Sequence, residues 1–147
     1  KNFQKLILLK NSIPVKKNKF FLINKAIYYD DNYVNFEDNT SITSKISKKN
    51  LKTNKSYQVK AITLSVIIKK YFVKEPYTLI LDIEGAESFI FFKDEKSLKK
   101  CETIIVELEN TKSYTILEQI NQLEKLGFKV LEWYGNVYCF KKNLNKI

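Results

Sequence analysis

The chain has 147 residues, 44% of them hydrophobic, which suits one domain with a real core and excludes a disordered segment. Its formal net charge is +10, yet every basic residue is lysine, so the planar guanidinium fork that pairs with phosphates and guanine edges is missing. The lysines are scattered in short clusters such as Lys16–Lys17, Lys69–Lys70 and Lys141–Lys142, which reads as a solvated surface rather than a nucleic-acid site.

Phe3 to Asn11 has helical spacing in Phe3, Leu6, Ile7 and Lys10, and Pro14 stops it. Phe20–Tyr29 is β-branched and aromatic and predicts a strand. After an Asp30–Asn32 turn, Tyr33–Glu37 alternates as a short second strand. Asp38 to Ser56 is rich in Asn, Ser, Thr and Lys and predicts a long polar loop, a kind of segment that is often functional. Tyr57–Ala61 predicts a short strand and Leu64–Tyr71 an amphipathic helix.

Pro76 precedes Tyr77–Ile83, a nearly continuous apolar run of the kind found in strands buried on both faces. Gly85 opens a helix over Ala86–Phe92, extended by Ser97–Lys100, and Thr103–Leu108 predicts a second buried strand. Thr115 and Glu118 have capping-box spacing at the start of a helix whose Ile116, Ile120, Leu123 and Leu126 share one face, and Gly127 stands where its C-terminal cap belongs. Lys129–Tyr134 and Val137–Lys141 flank the hairpin turn signal Gly135–Asn136. Strands alternating with helices imply an α/β fold with a mostly parallel sheet, to which the closing hairpin adds one antiparallel strand. No repeat or second domain is visible, so residues 1–147 read as one domain.

Cys101 and Cys139 lie in apolar contexts, there is no CxxC and no histidine, and a zinc site would need more soft ligands than these. Reduced thiols point to a cytoplasmic protein. No stretch approaches the ~18 apolar residues of a membrane span, and Leu6–Leu9 is too short for a signal peptide. The chain begins with Lys1 and has no methionine, so a truncated or processed product is expected.

Ligands of open parallel sheets sit beyond the carboxyl ends of the strands. Asp82 and Glu84 are two apart at the end of one strand and therefore leave it on one face, while Glu107 emerges at the end of the next. If the two strands are neighbours, the three carboxylates meet near one rim, where they could serve as a general base or bind a hard cation. Acidic residues at wet strand ends are also unremarkable without any function, and spacing alone leaves both readings open. Glu87, in the first turn of a helix, is explained by the helix dipole.

The segment LILDIEGAE, then IIVELE, then a helix ending in LGF, resembles the FkbM-type methyltransferases, which use S-adenosylmethionine (SAM). The matching positions are Asp82, Glu84, Gly85, Glu87, Glu107, Gly127 and Phe128, with Val59–Leu64 similar to the family's V-x-x-x-T-L-D. Ile23–Ile27 resembles the strand that follows the family's ribose-binding acid. Two positions depart from the pattern: Ile80 replaces the usual lysine, and Ser65 the usual acid after T-L. The glycine-rich SAM loop and the ribose-binding acid would fall before Lys1.

The resemblance implies a Rossmann-like class I methyltransferase sheet lacking its first strand–helix–strand unit, and a SAM-dependent O-methyltransferase acting on a sugar or small-molecule hydroxyl. It implies Asp82 or Glu84 as the acid that orients or deprotonates the acceptor, and Glu107 completing the pocket or helping to hold a metal. Asn24 and Ala26 would border the adenine, and the 38–56 loop would cover the acceptor. In the family's sheet order, removing the first two strands leaves Phe20–Tyr29 either paired with Tyr77–Ile83 or standing as a detached or edge strand. Two other readings are a scaffold that has lost SAM and binds a glycan or protein, and a lysine-rich anion binder.

Overall fold

The computed structural model describes residues 21–37, 46–47, 56–71, 76–83 and 85–142. The expected helix at Phe3–Asn11, most of the polar loop, and Glu84 lie outside the described residues.

In chain order the elements are β1 (Ala26–Ile27), β2 (Tyr33–Glu37), β3 (Ile46–Ser47), β4 (Ser56–Ile62), α1 (Leu64–Lys70), β5 (Tyr77–Leu81), α2 (Glu87–Lys93), a 3₁₀ helix (Glu95–Lys100), β6 (Cys101–Glu107), α3 (Ile116–Lys125), β7 (Phe128–Tyr134) and β8 (Val137–Lys142). They build two four-stranded sheets, ordered β1-β4-β2-β3 and β5-β6-β8-β7. In each sheet one strand, β2 or β8, runs against the other three. The α/β class and the antiparallel hairpin strand are as expected, whereas the single sheet is corrected to two.

The reason lies in the pairing of β1. Its ladder partner is β4, in parallel with Ala26 opposite Ala61, and β4 is brought there by five antiparallel pairs with β2. Of the expected strand Phe20–Tyr29, the described residues 21–29 form a ladder only at those two, because ladder bonds rather than β-propensity decide where a strand begins. It does not pair with β5 and stands at the edge of its own sheet. The expected polar loop contains the short β3.

In the second sheet, β5 reaches β6 through α2 and the 3₁₀ helix, a crossover that makes the pair parallel. The two-residue turn at Gly135–Asn136 reverses the chain and inserts β8 between β6 and β7. Side chains alternate between the faces of these strands. One face carries Leu81, Ile104, Val106 and Phe140 into an apolar cluster with Leu64, Ile90, Phe91, Leu98, Leu123 and Phe128. The other face is open at β5, where Ile80 is 72% exposed. Tyr77–Ile83 is therefore buried on one face only. As the end strand of its sheet it has a helix layer on a single side, which an apolar run cannot reveal.

Helix α3 is set by its ends. Thr115 and Glu118 form the reciprocal capping box, and Gly127 takes φ +88°, closed to most L-residues. Among the described residues no helix is long and apolar enough to cross a membrane.

Candidate functional site

The parallel β5–β6 ladder places Ile80 opposite Ile105 and Leu81 opposite Val106. Asp82 is the first residue after β5 and Glu107 the last of β6, so each directly follows the aligned pair Leu81 and Val106. Glu107 shares by alternation the open face with Ile105, and both Asp82 and Glu107 are exposed. The strands expected to be neighbours are neighbours, and Asp82 and Glu107 each follow directly on their last aligned pair.

The turn after Asp82 is held from below. Glu87, 2% exposed, accepts the Ile83 N–H at 2.7 Å. Its pKa is raised above the usual carboxylate range, chiefly by burial, against the lowering effect of the backbone N–H groups around it. The helix-dipole explanation is thus only part of the account: this carboxylate is an internal brace that ties the first turn of α2 to the end of β5. Gly85, at φ +89°, gives the chain the sharp turn it needs there.

At the far side of the rim the hairpin joins the row. Glu107 pairs with Val137, and Val137 pairs with Tyr134. The Leu108 N–H donates to the Asn136 carbonyl at 2.8 Å, fixing the turn to the end of β6. Sequence reasoning placed Tyr134 and Val137 in the hairpin strands but not in line with Glu107. The Gly-Asn turn identifies the hairpin but not which strand β8 pairs with.

A second polar feature opens at the carboxyl ends of the parallel β1–β4 pair. It is a cleft of about 430 Å³ lined by Lys25, Tyr28, Tyr29, Asp30, Asp31, Asn32, Ala61, Ile62, Thr63 and Val66. Its edge is attached to α2, where Lys93 pairs with Asp30 and the Phe89 ring meets Tyr28 edge-on at 5.9 Å. Asn24 is exposed and Ala26 half-buried, and neither lines this cleft, although Lys25 between them does.

The chain's three glycines sit singly in three separate turns, after β5, after α3 and in the hairpin. They form no glycine-rich loop of the kind that cradles a dinucleotide pyrophosphate. Among the described residues no three Cys, Asp or Glu side chains come together as a metal-binding group.

In comparison with known proteins, the Methyltransferase FkbM domain family matches residues 14–130, a span that includes Asp82, Glu87 and Glu107. No curated protein and no solved structure matches the chain.

Proposed function

The chain belongs to the FkbM methyltransferase family, and on that premise we propose that it is the acceptor-binding part of a SAM-dependent O-methyltransferase acting on a sugar or small-molecule hydroxyl. The observation that supports this reading is the parallel register of β5 and β6, whose last pair, Leu81 and Val106, is followed directly by Asp82 and Glu107 at the carboxyl ends of the two strands.

In this reading the Asp82 carboxylate accepts a hydrogen bond from the acceptor hydroxyl and takes its proton as the oxygen becomes nucleophilic. Glu107 accepts a second hydroxyl and so fixes the acceptor's orientation. Glu87 holds the Ile83 N–H and thereby the direction in which Asp82 leaves its strand. Asn24 and Ala26 stay the candidates for bordering the adenine. The setting is cytoplasmic, in keeping with the two free thiols Cys101 and Cys139.

The test is transfer of tritium from methyl-labelled SAM to a panel of hydroxyl acceptors. A positioned general base contributes about 10²–10⁴-fold, so Asp82→Asn should lose at least about 100-fold in turnover. Undiminished turnover in Asp82→Asn removes it from the reaction.

One observation favours a second reading, a scaffold that binds a glycan without catalysis: its glycines are dispersed over three turns. Isothermal titration of SAM separates the two. Saturable heat supports the enzyme, and glycan binding without any SAM binding supports the module.

A further inference from the structure

Across the second sheet the rim reads as one continuous row. Glu107 is opposite Val137, and Val137 is opposite Tyr134, while Asp82 directly follows Leu81, the partner of Val106. Directly opposed residues project to the same face, so the Glu107 carboxylate is followed by a branched aliphatic and an aromatic ring. Tyr134 is 90% exposed and Val137 42%. Tyr134 and Val137 form the closing cross-strand pair of the hairpin, which leaves most of the tyrosine ring uncovered. The hairpin is also rigid where it matters, since the Asn136 carbonyl is bonded to the Leu108 N–H at 2.8 Å, one residue past Glu107.

We propose that Tyr134 is the specificity-determining platform of this site, stacking under one sugar ring of an oligosaccharide while a neighbouring unit presents its hydroxyls to Glu107 and Asp82. The assignment rests on the reading of the rim as the acceptor site. The chemistry along the row sorts the ligand: carboxylate oxygens accept hydroxyl protons, while the tyrosine ring and valine methyls receive the C–H face of a pyranose. A tyrosine does this at small cost in side-chain entropy, having two χ angles to fix. Its length sorts the ligand again. Tyr134 is two strand spacings from Glu107, about 10 Å, a span that one pyranose does not bridge and two linked ones do.

Saturation-transfer NMR on the whole chain tests this, with methyl glycosides and disaccharides of gluco, galacto, manno and N-acetylgluco configuration as probes. At least one disaccharide is expected to bind, at least fivefold more tightly than its methyl glycoside. Tyr134→Ala should weaken that binding at least fivefold with an unchanged circular-dichroism melt, and Tyr134→Phe should stay within twofold of wild type. Equal binding by Tyr134→Ala, or no disaccharide binding to the wild type, overturns the proposal. The double variant Asp82→Asn/Glu107→Gln separates its failure from that of the underlying reading. If Tyr134→Ala is silent while the carboxylate variant loses binding, the platform falls and the acceptor rim stands. If Tyr134→Ala loses binding while the carboxylate variant does not, the ring holds a sugar but the acceptor rim falls, and the two-point site with it.

Discussion

The Tyr29 hydroxyl donates to Oδ2 of Asp94 at 2.9 Å, joining the loop after β1 to the end of α2 across 65 residues of sequence. The same two groups cap the start of α1. Leu64 N–H donates to the Tyr29 hydroxyl, Ser65 N–H to Asp94 Oδ2, and Val66 N–H to the Thr63 hydroxyl. All three first-turn N–H groups of this helix therefore have side-chain acceptors, two of them remote in sequence. Burial raises the pKa of the Tyr29 phenol, so it acts as a hydrogen-bond donor at any working pH. Tyr29→Phe removes a donor and an acceptor at once and should cost about 1–2 kcal/mol. A urea midpoint unchanged from wild type would show that the first sheet and α1 do not depend on this pair.

Glu87 gives a pH signature of definite sign. A carboxyl whose folded pKa is raised binds its proton more tightly in the native state than in the unfolded one. Its contribution to stability is therefore greatest at low pH and is lost as pH rises from the unfolded carboxylate range through the native pKa. Unfolding free energies of wild type and Glu87→Gln, compared between pH 7 and pH 4, should shift steadily in favour of wild type as pH falls. A pH-independent difference is the contrary result.

Gly85 is required for its backbone, since a Cβ built there meets only Thr111 Cγ2 at an ordinary 3.5 Å while φ is +89°. Gly85→Ala should therefore destabilise by about 1–3 kcal/mol through strain rather than collision. Shortening the Thr111 side chain in addition should not rescue it. A double variant restored to wild-type melting would mean that crowding is the cause.

The two cysteines should separate in a labelling experiment. Cys101 is fully buried, its S–H lies 3.3 Å from the Thr103 carbonyl, and burial raises its pKa to about 11. Cys139 is half-buried on the open face of β8. Iodoacetamide at pH 8 should modify Cys139 in the folded chain and reach Cys101 only after denaturation, as read by peptide mass spectrometry. Modification of native Cys101 at a comparable rate would contradict the packing of β6.

Features carried by neighbouring residues were readable from the sequence. The capping box of Thr115 and Glu118, the apolar face of α3, the Gly135–Asn136 hairpin and the strands at residues 33–37 and 77–81 all depend on spacing within a few positions, and each is found. The carboxylates at two strand ends were readable for the same reason. Which strands lie side by side was not, because a ladder joins segments far apart in the chain and its partner leaves no local mark. Only the tertiary structure decided that β1 pairs with β4, that β5 ends its sheet with Ile80 uncovered, and that Glu87 is a buried brace. It also decided that β8 slides between β6 and β7, and that insertion is what sets Val137 and Tyr134 in line with Glu107.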